Sequence, residues 1–72
     1  MPKLPRVSGK ETLKKLEVIG YIQTRQRGSH VRLQSPDHRS PLTIPLHKEL
    51  KSGLLRKILK DAELDVQEFI SL

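Results

Sequence analysis

The sequence predicts a small α+β protein of order α-β-β-β-α plus a short C-terminal helix, with the helices on one face of a three-stranded antiparallel sheet. Apolar residues recur at helical spacing in residues 9–19 and again after Ser52. Between these segments, apolar and polar residues alternate in three short runs, which Gly28 and the turn-forming Ser35-Pro36-Asp37 separate. The 72 residues suffice for one small core, so we expect a single domain over residues 1–72.

The first helix is predicted by signals at both of its ends. Ser8 and Glu11 have the spacing of a capping box, in which each side chain accepts a hydrogen bond from the other residue's backbone. Gly20 suits a left-handed cap at the C-terminal end. The apolar face consists of Leu13, Leu16 and Ile19.

The turn between the first two strands is predicted from parity. The pattern assigns to the buried face Ile22 and Thr24 in the first strand and Val31 and Leu33 in the second. Cross-strand partners share a face, so both pairs are buried only if the loop has an even number of residues. A two-residue Gly28-Ser29 loop satisfies this condition, and glycine in its first position suits a type II′ turn.

The remaining elements follow from shorter signals. The third alternating run covers residues 42–44 and ends before Pro45. Ser52 and Gly53 precede a second amphipathic helix, whose apolar residues are Leu54, Leu55, Ile58 and Leu59. Asp65 and Glu68 form another capping-box sequence, which predicts a short last helix that presents Val66, Phe69 and Ile70 to the core. Two helices on one sheet face leave the other face open.

The charge distribution indicates a polyanionic partner. Residues 1–60 hold all 14 Lys and Arg against four acids, a formal charge of +10, whereas residues 61–72 hold four acids and no base. A charged surface that merely keeps the protein soluble is the alternative. One Tyr and one Phe are too few for binding single strands by base stacking alone. No apolar run has the length of a membrane span and no signal segment is present, so we expect a cytoplasmic protein without a membrane partner.

The predicted hairpin surrounds a histidine with cations. In the two-residue register Arg27 lies opposite His30 and Arg25 lies opposite Arg32, with all four side chains on the open polar face. A histidine side chain, with an ordinary pKa of about 6.5, exchanges protons at neutral pH, and guanidinium groups bind phosphate oxygens. This combination is what cleavage of a phosphodiester requires. A surface histidine in a basic hairpin is the alternative.

The other histidines are weaker candidates. His38 lies in a turn-forming sequence, and His47 follows Pro45 in the connector to the second helix, where a structural or phosphate-positioning role is more plausible than a catalytic one. The three histidines are spaced eight and nine apart, with no cysteine or paired carboxylate beside them, so we expect no metal site. Gly9-Lys10 lacks the rest of a phosphate-binding loop, so we expect no nucleotide cofactor.

Basic residues near the second helix are candidate phosphate contacts, because the amides at a helix N-terminus already attract phosphate. These residues are Lys48, Lys51, Arg56 and Lys57. Gly28 and Ser29, at the hairpin turn, complete the set of candidate nucleic-acid contacts. A second basic group, equally explained as a solvated helix face, comprises Lys3, Lys10, Lys14 and Lys15.

Several motifs together resemble the HicA toxins of type II toxin–antitoxin systems. They are Ser8-Gly9-Lys10-Glu11, Gly20-Tyr21, Arg25-Gln26-Arg27-Gly28-Ser29-His30, Pro45-Leu46-His47 and Lys51-Ser52-Gly53-Leu54-Leu55-Arg56-Lys57-Ile58-Leu59. The resemblance implies a fold like the double-stranded-RNA-binding domain, mRNA interferase activity with His30 as the catalytic residue, and neutralisation by a HicB-type antitoxin. Leu54 stands where relatives often have Thr, and Glu63 where many have Gly.

The sequence therefore predicts a metal-independent endoribonuclease toxin that cleaves mRNA, with His30 as catalytic base, Arg25, Arg27 and Arg32 on the scissile phosphate, and His47 as a possible auxiliary group. The alternative is a non-catalytic basic RNA-binding module that uses the same face. A DNA-binding function has no recognition-helix pattern to support it.

Overall fold

The computed structural model describes residues 3–72 and has the predicted order of elements. These are α1 (Gly9–Val18), β1 (Ile22–Arg27), β2 (His30–Gln34), β3 (Leu42–Pro45), α2 (Ser52–Asp61) and α3 (Val66–Ile70). The strands form one antiparallel sheet in the order β1-β2-β3. The α+β class and the resemblance to the double-stranded-RNA-binding fold are confirmed. Neither ten-residue helix, nor the shorter α3, has the length and apolar character that crossing a membrane requires.

Both predicted caps of α1 are present. The Glu11 amide donates to Ser8 Oγ at 3.0 Å, and the Ser8 amide donates to Glu11 Oε1 at 3.1 Å. At the other end Gly20 has a φ of 103°, and the Tyr21 amide donates to the Leu16 carbonyl at 3.2 Å. This six-residue closure is a Schellman motif, which requires a left-handed residue at the position of Gly20. Local sequence signals therefore fix where α1 begins and ends.

α2 ends in the same motif, although no glycine is available. The Leu64 amide donates to the Leu59 carbonyl at 2.9 Å, and Glu63 takes the left-handed conformation with a φ of 56°. The Asp65 and Glu68 capping box then starts α3, with hydrogen bonds of 2.7 and 3.0 Å. Glu63 therefore completes the cap, but it places an L-residue in a costly conformation.

The core is aliphatic around one aromatic ring and lies between the helices and the strands β2 and β3. Its most deeply buried side chains are Phe69, Leu16, Leu33, Ile44, Leu55, Val31 and Thr12. The Thr12 hydroxyl is satisfied because it donates to the Ser8 carbonyl at 2.9 Å. Of the apolar residues predicted for α3, Phe69 is fully buried and Val66 packs against the core, but Ile70 is exposed. The one-and-a-half turns of α3 present only part of their surface to the sheet.

The expected burial of Ile22 and Thr24 is wrong. All six residues of β1 are exposed, and Ile22 retains 63% of its accessible surface. Thr24 forms a bulge between Gln23 and Arg25, so the register shifts by one residue and Ile22 pairs with Gln34. A bulge reverses the faces of all residues beyond it, which moves Ile22 to the open face. β1 is an edge strand that the helices do not cover.

Candidate functional site

The hairpin turn has the predicted geometry. Arg27 pairs with His30 across a two-residue loop, and Arg25 pairs with Arg32. Gly28 has a φ of 56° while Ser29 keeps a negative φ, as in a type II′ turn. The bulge at Thr24 lies beyond these pairs, so it leaves the parity of the turn region intact. The structure therefore brings His30 and the three arginines to one face of the hairpin.

These side chains line a shallow groove of about 520 Å³ on the open face of the sheet. The lining residues are Thr24, Arg25, Arg27, His30, Arg32 and Thr43. Arg32 Nη1 donates to Thr43 Oγ1 at 3.2 Å, which holds this guanidinium over the middle of the sheet. His30 is exposed on the strand beside it. A ligand can therefore reach the imidazole and the arginines together.

The arginines of this groove have no acidic partner within the described part of the chain. Between residues 3 and 72, ion pairs of 4.0 Å or less join only His38 to Glu63 and Arg39 to Asp37. Guanidinium donors that no carboxylate occupies are available to an anion without breaking an existing pair. The groove is therefore suited to phosphate.

The structure also places His47, which the sequence predicts as a possible auxiliary group, beside His30. The two ring centroids are 6.5 Å apart and the ring planes lie at 73° to each other. A second groove, of about 490 Å³, contains both rings, and charged residues of α2 and β2 also line it, namely Arg32, Lys57 and Asp61. The open face of the sheet and the connector after β3 thus form one continuous surface.

The backbone explains this proximity. His30 pairs with Pro45 in the sheet, and the Leu46 amide donates to the Ser29 carbonyl at 2.6 Å, so the ladder continues one step beyond β3. Since side chains alternate along an extended chain, His47 follows Pro45 on the face that Pro45 shares with His30. The Pro45-Leu46-His47 motif is recognisable in the sequence, but the strand with which this segment pairs is not.

α1 holds the connector from the other side. The Gly9 amide donates to the His47 carbonyl at 2.9 Å. A Cβ on Gly9 would overlap the Pro45 carbonyl oxygen, so only glycine permits this approach. The Leu50 amide donates to the Val7 carbonyl at 2.8 Å and fastens the other end of the segment. The position of His47 is therefore set by backbone contacts to two different elements.

The basic residues predicted around α2 lie on different surfaces of the protein. Lys57 lines the groove that holds both histidines, whereas Arg56 lines an apolar groove with Leu4 and Leu64. Lys48 and Lys51 are exposed, and Lys51 is the N-cap of α2 without a side-chain cap hydrogen bond. Of these four cations, Lys57 shares a groove with His30 and Arg56 does not.

Two other candidates have structural partners. Lys15 Nζ donates to the Leu72 carbonyl at 2.9 Å and lies 5.5 Å from the centroid of the Phe69 ring, so it fastens the C-terminal segment. His38 Nε2 lies 3.0 Å from Glu63 Oε2, and His38 lines neither of the two grooves. These contacts favour a structural role for both residues.

Asp61, the first of the four acids in residues 61–72, is also a groove residue. It is the last residue of α2 and lines the groove that contains His47. Residues four apart share a helix face, so its spacing from Lys57 contained the signal. Asp61 is the acidic residue of this groove, whose cations are Arg32 and Lys57.

Two groups with shifted pKa values are Asp37, in the turn between β2 and β3, and Tyr21, which precedes β1 and contacts that turn. Burial raises the pKa of Tyr21, whose hydroxyl donates to the Ser40 carbonyl at 3.0 Å. The pKa of Asp37 is lowered, first by the hydrogen bond from the Arg39 amide at 3.0 Å and then by that from Ser35. These bonds hold the loop that carries the chain into β3. They support the open face without belonging to it.

Within residues 3–72, no three His, Cys, Asp or Glu side chains lie together in an arrangement that could hold a metal ion.

Comparison with known proteins identifies the family. The family model described as the HicA toxin of bacterial toxin–antitoxin systems matches residues 9–64, which are 56 of the 72 residues. No curated protein matches the chain. The matched range begins at the glycine that packs against the connector, includes the Gly28-Ser29-His30 turn and His47, and ends after the cap of α2. The chain belongs to the HicA family of toxins of bacterial toxin–antitoxin systems.

Proposed function

We propose that this toxin is an endoribonuclease that cleaves mRNA without a metal ion, with His30 as the catalytic base. The observation that carries the proposal is the groove in which His30 lies among Arg25, Arg27 and Arg32, whose guanidinium groups have no carboxylate partner in the described chain. Proton transfer and phosphate binding are thereby available at one place. An mRNA substrate places this activity in the cytoplasm.

The reaction uses a nucleophile that the substrate supplies. Neutral His30 removes the proton from a ribose 2′-hydroxyl, and the oxygen attacks the adjacent phosphorus. The arginines bind the non-bridging oxygens and stabilise the negative charge that develops on them. The products are a 2′,3′-cyclic phosphate and a 5′-hydroxyl. Because the nucleophile belongs to the RNA, no metal-bound water is required.

The wider RNA contact would extend from the turn towards α2. Gly28 and Ser29 let the backbone of the turn approach the strand closely, and Lys57 adds a cation beside His30. Lys48 and Lys51 lie before the first turn of α2, whose amides favour phosphate. Arg56, in a different groove, would contact a more distant part of the RNA.

The partner we propose is a HicB-type antitoxin that covers the face bearing His30. The helices pack on the other side of the sheet, and an acidic partner would associate rapidly with a surface of this charge. A complex in which His30 remains accessible to solvent would contradict occlusion.

The test compares two exposed histidines. His30→Ala should abolish RNA cleavage and growth arrest while it changes the free energy of unfolding by less than about 1 kcal/mol, as for an exposed substitution. His38→Ala is the matched control and should remain active, because His38 lines neither groove.

The chemistry is tested with the substrate. RNA with a 2′-deoxy sugar at the cleaved position should resist, and cleavage should persist in EDTA. An RNA-binding module without catalysis would bind RNA with or without His30 and leave it intact. That result, or cleavage by His30→Ala at the wild-type rate, refutes the proposal.

A further inference from the structure

We propose that His47 is the second proton-transfer group of this site, the general acid that protonates the leaving 5′-oxygen while His30 acts on the 2′-hydroxyl. This inference rests on the proposed ribonuclease function. It starts from the two imidazole rings, which the structure places 6.5 Å apart between centroids in one groove.

The separation suits a single phosphate group. In an in-line displacement, the attacking and leaving oxygens lie on opposite sides of the phosphorus. A general acid or base must reach its oxygen within about 2.6–3.2 Å. With centroids 6.5 Å apart and planes at 73°, the two rings leave no room for a phosphate between them, but a phosphate seated beside the pair can offer one oxygen to each exposed ring. Rings on different faces of the sheet could not share it.

Both rings are attached to well-fixed backbone. His30 is held by its pairs with Arg27 and Pro45 on either side of β2. His47 is held because its carbonyl accepts from the Gly9 amide at 2.9 Å, one residue after Leu46 donates to Ser29. A pair of groups positioned by one hydrogen-bonded network needs little reorganisation at the moment of reaction. This anchoring distinguishes His47 from the loop residue His38.

The proposed step is balanced in protons and bonds. His30 accepts the 2′-hydroxyl proton, the bond from O2′ to phosphorus forms, and the bond from phosphorus to O5′ breaks. Protonated His47 gives its proton to O5′, which leaves as a hydroxyl. The step ends with His30 protonated and His47 neutral, and proton exchange with water restores the starting state. No oxidant, reductant or further reactant is involved.

The charged groups that face the two rings come from the sheet and from α2. Arg27 and Arg32 lie on the strands beside His30, and Lys57 and Asp61 extend from α2 into the groove of His47. Arg27 and Arg32 bind phosphate in the proposed mechanism, Lys57 adds a cation, and Asp61 is the acidic residue that lines the groove of His47. With one neutral and one protonated histidine required, the rate should show a bell-shaped dependence on pH.

The decisive experiment uses a substrate whose leaving group needs no protonation by a general acid. In one RNA substrate the 5′-bridging oxygen at the cleavage site is replaced by sulfur, which leaves as a thiolate without protonation. On ordinary RNA, His47→Ala should be slower than wild type by about 10²–10⁴-fold, the usual contribution of general acid–base catalysis. On the sulfur-containing RNA, the same variant should cleave within about tenfold of wild type, because the step that His47 serves is no longer needed. His30→Ala should remain slow on both substrates.

The controls separate this role from a structural one. His47→Gln keeps a polar side chain of similar length and serves if the alanine variant does not fold. A histidine that only supports the fold or positions RNA would slow both substrates equally, and this outcome overturns the proposal. His47→Ala with the wild-type rate on ordinary RNA overturns it as well. Wild-type protein that cleaves neither substrate refutes the proposed ribonuclease function itself, and is thereby distinguished from failure of the His47 role alone.

Discussion

Gly9→Ala tests how strongly the site depends on the contact between α1 and the connector from Pro45 to His47. The new Cβ would overlap the Pro45 carbonyl oxygen, which is backbone and cannot rotate away as a side chain would. The connector must shift outward, and the hydrogen bond from the Gly9 amide to the His47 carbonyl lengthens or breaks. Both histidines are then held less firmly.

The cost follows from two contributions. Overpacking of a well-filled contact costs about 1–3 kcal/mol, and the lost hydrogen bond adds about 1 kcal/mol. We therefore expect the free energy of unfolding to fall by about 2–4 kcal/mol, a large part of the 5–15 kcal/mol typical of a domain. Urea denaturation followed by circular dichroism measures this difference. RNA cleavage should fall further than the folded fraction does, because the geometry of the two imidazoles changes.

Gly53→Ala is the matched control. Gly53 also lies in the first turn of a helix, but a Cβ there meets no atom within 4 Å. Alanine should stabilise α2 by up to about 1 kcal/mol. A Gly9→Ala protein as stable as wild type, or the same change in both variants, would refute the packing argument.

Two further predictions concern stability. Glu63→Gly and Glu63→Ala both remove the exposed ion pair with His38, but only glycine adopts the left-handed conformation with φ 56° without strain. In urea denaturation, the glycine variant should therefore be more stable than the alanine variant by about 1 kcal/mol. Equal stabilities would contradict this. Tyr21→Phe should cost about 1 kcal/mol at pH 7 by removing the bond to the Ser40 carbonyl. Burial raises the pKa of Tyr21 in the folded protein, so its stabilisation is complete below the unfolded value of about 10 and is lost as pH rises through the folded value. The difference between wild type and Tyr21→Phe in thermal melts should therefore shrink above about pH 10, and the absorbance of this single tyrosine should titrate late; a constant difference would contradict the assignment.

The parts of the fold that the sequence predicts are those with local causes. The Ser8 and Asp65 capping boxes and the Gly28 turn each depend on a few neighbouring residues, and all three are present. The register that places Arg27 opposite His30 follows from the loop length alone. Because this information is local, the cationic surroundings of His30 could be predicted without a structure.

Features that depend on distant pairing could not be predicted. The bulge at Thr24 has no glycine or proline to mark it, and it reverses the face of Ile22. The approach of His47 to His30 requires the ladder between β2 and β3 to continue past Pro45, which the sequence does not encode locally. Asp61 was predictable only with the knowledge that Lys57 faces the site. The assembly of these residues beside His30 was therefore visible only in three dimensions.

Because β1 is an exposed edge strand, its residues Arg25 and Arg27 have a second role. A strand without a neighbour on one side presents unpaired amides and carbonyls to other molecules, and proteins prevent such edges from joining by means of bulges and positive charges. β1 has both devices, the bulge at Thr24 and the guanidinium groups of Arg25 and Arg27. The charges that we propose to bind RNA would therefore also repel a second copy of the same edge. Neutralising them exposes the strand Ile22–Arg27 to self-association, so that loss of RNA binding and loss of solubility arise from the same two side chains.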